Sequence, residues 1–98
     1  MNEKLKSKES DYLFDAILSL KNREECYSFF EDLCTVAEIK AMAQRLVVAK
    51  MLDDKHTYTD ISLKTGASAA TISRVAKCLN YGAEGYTVVL KRLGEVNG

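Results

Sequence analysis

The chain has 98 residues, 47% hydrophobic and 29% charged, with fourteen basic and fourteen acidic side chains and a net charge of zero. That length sets one domain, or one subunit of a compact oligomer, and the composition is ordinary for a globular protein. No apolar run approaches the ~18 residues of a membrane span. The charged stretch MNEKLKSKESDY lacks a signal-peptide core, so the expected location is the cytoplasm with no membrane partner.

There is no proline and no useful strand-like alternation, and the reading is all-α with about six helices. The first is expected over about 8–20, where Leu13, Phe14, Ile17, Leu18 and Leu20 form an apolar stripe. Asn22 followed by Glu25 marks the start of a second helix over about 23–34, carrying Cys26, Tyr27, Phe29, Phe30 and Leu33. Thr35 with Glu38 repeats the signal before the longest helix, about 36–53, which is apolar around much of its circumference late on. A surface helix needs only one apolar stripe. Residues of about 8–54 are therefore read as dimerisation helices that finish their core against a second copy. The alternative is a compact six-helix monomer.

Thr57 with Asp60 opens a short helix over about 58–65 that ends at Gly66. The acids of all three start signals also sit favourably in a positive first turn. Ser68 caps the next helix, about 69–80, which Gly82 in NYG is expected to close in left-handed geometry. The last helix covers about 85–94, with Tyr86, Val89, Leu90 and Leu93.

Cys26, Cys34 and Cys78 are an odd, scattered set without a CxxC pair, read as reduced thiols rather than disulfides or metal ligands. His56, the single histidine, lies in the polar stretch DDKHTYT and is read as a solvent-exposed loop residue. With no nucleophile–base set, no phosphate-cradling glycine loop and no ligand cluster, the sequence offers no enzyme chemistry, no metal site and no built-in cofactor.

Residues 58–80 fit a helix-turn-helix, two short helices meeting at a glycine-containing turn. Ile61 supplies the apolar anchor of the first helix, Ser62 the small residue at the crossing, and Gly66 the turn. Ala67, Ile72 and Val75 supply the inner face of the second helix, and Leu79 continues it. Ser68, Ala69, Ala70, Ser73, Arg74 and Lys77 then face outward. In this motif that helix enters the major groove N-terminal end first. Methyl groups of Ala69, Ala70 and Thr71 suit thymine methyls, hydroxyls of Ser68, Thr71 and Ser73 suit base edges, and Lys64, Lys77 and Ser68 suit phosphates.

The charge distribution agrees. Residues 1–55 carry nine basic and eleven acidic side chains, residues 56–98 five and three, and the span from Ile61 to Ala83 holds Lys64, Arg74 and Lys77 with no acid. A neutral total nevertheless supplies no general phosphate affinity. Two alternatives therefore stand beside the DNA reading: a helical hairpin used for packing, and a head that docks another protein.

TGASAATISRVAKCLNYG, with TVAEIKAMAQRLVVAKML before it, resembles the Trp-repressor-like family, in the branch usually called YerC/YecD, over roughly residues 10–94. The resemblance implies an intertwined homodimer whose two heads meet successive major grooves of a palindromic operator in double-stranded DNA, the docking described for helix-turn-helix proteins including the Trp repressor. It implies a transcriptional regulator, expected to be a repressor. In tryptophan-sensing relatives two arginines and nearby backbone carbonyls hold the amino acid, and those positions align with Arg45, Arg74 and the segment Leu33 to Thr35. The residue after the second arginine is glycine in such sensors and Val75 here. Overlap by a few methyl groups costs ~1–3 kcal/mol, roughly tenfold to a hundredfold in affinity. L-Tryptophan is therefore not expected as a tight corepressor, and an effector pocket of Arg45, Arg74, Thr35 and Val75 would serve another small molecule.

Overall fold

In the computed structural model, which describes residues 2–97, the chain folds into six α-helices after a 3-10 turn at Glu3–Leu5, with no strand among the described residues. The helices are α1 (Lys8–Leu18), α2 (Arg23–Leu33), α3 (Val36–Asp53), α4 (Tyr58–Thr65), α5 (Ala69–Tyr81) and α6 (Gly85–Asn97). The all-α class and the helix starts agree with the sequence reading.

Side chains written into the sequence set those starts. Asn22 Oδ1 accepts the Glu25 N–H at 2.9 Å, and the Glu25 carboxylate accepts the Lys21 N–H at 2.9 Å. Thr35 and Glu38 close a reciprocal box, at 3.1 and 2.9 Å. Ser7 caps α1 by accepting the Ser10 N–H at 3.0 Å. α1 stops at Leu18, two residues before the expected end. There the Ser19 hydroxyl donates to the Ala16 carbonyl at 2.6 Å and offers the backbone a competing partner.

Two compact units divide the chain within α3, one up to Ile39 and one from Lys40 onward. The first contains α1, α2 and the start of α3. Neither α1 nor α2 has a buried residue, and Tyr12, Leu18 and Tyr27 are 79%, 81% and 71% exposed. Phe29 and Phe30 meet edge to face, with ring centroids 5.6 Å apart.

The buried core lies in the second unit, where Val48, Ala49, Ile61, Ala67, Ile72, Val75 and Leu90 form one cluster. α5 packs against both α4 and α6. α3 ends in a paired-bond turn: the His56 N–H reaches the Met51 carbonyl and the Lys55 N–H the Leu52 carbonyl, both at 3.0 Å. Lys55 occupies the left-handed position of this turn at φ 69°, where glycine is usual.

Gly82 corrects one expectation. Its φ is −86° and ψ −154°, so it does not close α5 in left-handed geometry. A Cβ there would overlap the Cys78 carbonyl, so the glycine serves close approach, and the left-handed residue of this linker is Glu84 at φ 68°. α6 also runs on to Asn97, past the expected end near 94. Gly94 lies inside it, at a cost near 1 kcal/mol that weakens a helix without ending it.

Gly66 does adopt the left-handed conformation, at φ 74°, with open space where a Cβ would stand. Gly66→Ala is expected to destabilise the fold by ~1 kcal/mol through backbone conformation alone. A urea midpoint unchanged in Gly66→Ala would contradict that assignment.

Candidate nucleic-acid interface

α4, the Gly66 turn and α5 form a helix-turn-helix whose angle is fixed from inside and from the turn. Inside, Ile61, Ala67, Ile72 and Val75 are each at most 2% exposed. At the turn, the Gly66 N–H donates to the Ser62 carbonyl at 2.9 Å, and the Ser62 hydroxyl donates to the Ala67 carbonyl at 3.0 Å. The Thr65 hydroxyl donates to the Ile61 carbonyl at 2.7 Å and accepts the Ala67 N–H at 3.1 Å. From α3, the Gln44 side-chain amide donates to the Thr65 carbonyl at 3.1 Å, a brace absent from the sequence reading. Ser62 therefore does more than leave room at a crossing.

On the outer face of α5, Ser68, Ala69, Ala70, Ser73, Arg74 and Lys77 are exposed together. Thr71 is half-buried, and its hydroxyl accepts from Ser68 at 3.1 Å while Ser68 Oγ accepts the Thr71 N–H at 3.2 Å. These two hydroxyls are engaged in capping, whereas the exposed Ser73 makes no side-chain hydrogen bond among the described residues. No acid lies in the first turn of α5, so its positive end is uncompensated. Among the described residues, Arg74 and Lys77 make no ion pair, whereas Lys64 Nζ stands 3.5 Å from the Asp60 carboxylate.

Asp60 caps differently from Glu38. Its N–H donates to Thr57 Oγ1 at 3.1 Å, but its carboxylate turns to His56 Nδ1 at 2.6 Å and to Lys64. His56 is an exposed loop residue, as its polar surroundings predict, and also a partner of Asp60. The hydrogen bond from His56 is the main cause holding the Asp60 carboxyl below its ordinary pKa; burial opposes it and Lys64 adds to it. A depressed carboxylate stabilises the fold above its unfolded pKa, and that contribution is lost as pH falls through the folded value.

The residues aligned with an effector pocket have distinct settings. In the first unit, Thr35 is exposed and engaged in its box with Glu38, whose carboxyl is held below the ordinary range by the Thr35 backbone and hydroxyl. In the second unit, Arg45 is half-buried on α3 and Arg74 is exposed on α5. Val75 is 1% exposed within the apolar core, the anchoring place that its spacing predicts.

One surface of the head escaped the sequence reading. Tyr58, Thr59, Ser62 and Leu63 of α4, with Ala69 and Ile72 of α5, line an open notch of about 300 Å³. Leu63 lies two residues after the buried Ile61, hence off the core-facing side, and is 80% exposed. That offset was the available signal.

Among the described residues, the three cysteines are free, no three His, Cys, Asp or Glu side chains converge as metal ligands, and no helix is long and apolar enough to cross a membrane. The family described as Trp repressor protein matches residues 8–94. The chain is 58% identical over 93 residues to the uncharacterized protein YerC of Bacillus subtilis (strain 168), covering 95% of this chain and 89% of that one. It superposes with a TM-score of 0.92 on the crystal structure of a TrpR like protein from Eubacterium eligens ATCC 27750, at 58% identity and over 95% and 96% of the two chains. A crystal structure from Staphylococcus aureus gives a TM-score of 0.91 at 55% identity, over 94% and 92%. Such membership points to a DNA-binding helix-turn-helix regulator rather than an enzyme, and the chain belongs to the Trp repressor family.

Proposed function

We propose that the chain is a sequence-specific transcriptional regulator of the cytoplasm, a homodimeric repressor that reads a palindromic operator through two copies of the α4–α5 head. The observation that carries this reading is the outer face of α5. Small residues at its first turn permit close approach, an uncompensated helix N-terminus faces out, and Arg74 and Lys77 stand exposed and unpaired among the described residues. Residues 1–98 act as a single domain in this reading, with about 8–54 supplying the dimerisation helices.

Two surfaces support a second copy. The apolar side chains of α1 and α2 are uncovered in one chain. In the second unit, Leu46, Cys78, Ala83, Tyr86 and Val89 line an open apolar cavity of about 550 Å³. Large exposed apolar surfaces of this kind mark association sites.

Arg45 and Arg74, both in the second unit, are the residues around which an effector would be held, and the isopropyl group of Val75 next to Arg74 supports an effector other than tightly bound tryptophan. The net charge of zero favours a second reading, in which the head docks another protein without binding DNA.

Selection from random duplex DNA, run with and without added amino acids, separates the two. Enrichment of a palindrome whose binding weakens steeply with salt is expected for the regulator. A selection that enriches no palindrome leaves the protein-docking reading in its place.

A further inference from the structure

We infer that the α4–α5 notch is a second reading element, one that receives the 5-methyl group of an operator thymine beside the first turn of α5. The inference rests on the DNA-binding reading above and adds to it residues of α4 outside the outer face of α5. The notch is contiguous with that face because Ala69, the first residue of α5, belongs to both. Its six lining residues carry no charge, and the Ser62 hydroxyl donates inward to the Ala67 carbonyl rather than to the notch.

Leu63 and Tyr58, 80% and 46% exposed, stand at this surface without cover. On α4 Lys64 is paired with Asp60, whereas the adjoining outer face of α5 carries Arg74 and Lys77 with no ion pair among the described residues. An apolar hollow beside the free cations of α5 matches a duplex edge, where a methyl group projects between flanking phosphates. In the major groove the thymine methyl is the apolar feature that side chains read. A neutral chain also draws less of its affinity from phosphates, so apolar base contacts carry more of the discrimination.

Deoxyuridine removes that methyl group and leaves the Watson–Crick edge intact, which makes it the probe. Selected operator duplexes are synthesised with each thymine replaced in turn by uracil, and binding is measured for the full chain and for Leu63→Ser. Leu63 is exposed, so the variant keeps the fold, and helicity and unfolding midpoint check this.

The expected result is an affinity loss of about fourfold per half-site at one thymine, the equivalent of ~0.8 kcal/mol for one buried methyl. That loss disappears in Leu63→Ser. DNA binding in which no uracil substitution costs affinity overturns the notch and leaves the regulator reading standing. A thymine preference that persists in Leu63→Ser also overturns it, and assigns the methyl contact to the outer face of α5. Unaltered DNA affinity in Leu63→Ser gives the notch to another ligand, such as a protein side chain. A chain that binds no selected duplex overturns both readings together.

Discussion

Replacing Arg74 and Lys77 together by alanine is expected to lower DNA affinity and flatten its salt dependence, with oligomeric mass and helicity unchanged. Both side chains are exposed on α5 and unpaired among the described residues, so their removal breaks no ion pair there. Alanine is also the better helix former. If each cation neutralises one phosphate, the two heads of the proposed homodimer lose up to four contacts. The slope of log K against log salt then falls by ~3–4, at roughly 0.9 per contact. Raising salt from ~0.05 to ~0.2 M should accordingly shrink the ratio of parent to variant affinity by roughly a hundredfold. Titrations at the two salt concentrations measure that ratio. Equal affinities for parent and variant would remove the outer face of α5 from the interface.

The size of this effect follows from where charge is free, which is where sequence and structure part company. Lys64, Arg74 and Lys77 read alike as basic residues in an acid-free span. The structure pairs Lys64 with Asp60, one helical turn earlier and just outside that span. An i,i+4 pair is in principle legible. In the sequence the Thr57 cap accounts for Asp60 and leaves Lys64 without an evident partner. The Asp60 carboxylate has His56 and Lys64 as its actual partners, and they draw it along the helix instead. Glu38 has no such competitor on its helix and returns to Thr35 as the spacing predicts.

Helix starts were legible because the deciding group sits within three residues of the start. Asn22, Thr35, Thr57 and Ser68 each accept the N–H three residues on. Helix ends and linkers were less so. A glycine shows only that a backbone is permitted unusual angles, and Gly66 and Gly82 use that freedom for different purposes. The left-handed sites at Lys55 and Glu84 carry no glycine signal at all. Lys55 is held by the paired backbone bonds of its own turn, from the Lys55 and His56 N–H groups to the Leu52 and Met51 carbonyls. Likewise Gln44 reads as one of several polar residues of α3, and its bond to the Thr65 carbonyl requires the packed arrangement of α3 and the turn.

Val75 tests both the fold and the effector, because two predictions meet on one side chain. As an anchor it is fully enclosed with Val48, Ala49, Ile61, Ile72 and Leu90. Val75→Gly removes a buried side chain worth ~1.5–3 kcal/mol and adds the ~0.5–1 kcal/mol cost of glycine within a helix. A loss of about 3 kcal/mol is expected, a large share of a typical stability of ~5–15 kcal/mol, and urea unfolding measures it. If the same side chain also blocks a ligand pocket, its removal would in addition raise L-tryptophan affinity by roughly tenfold to a hundredfold. Calorimetric titration of the parent chain with L-tryptophan is expected to show no micromolar binding, and such binding would overturn the effector assignment. In Val75→Gly, stability and tryptophan affinity are read on the same sample. A large drop in unfolding midpoint without a gain in ligand binding identifies Val75 as core. A gain in tryptophan affinity alongside that drop would mean that the head is a tryptophan sensor with its pocket closed by one isopropyl group.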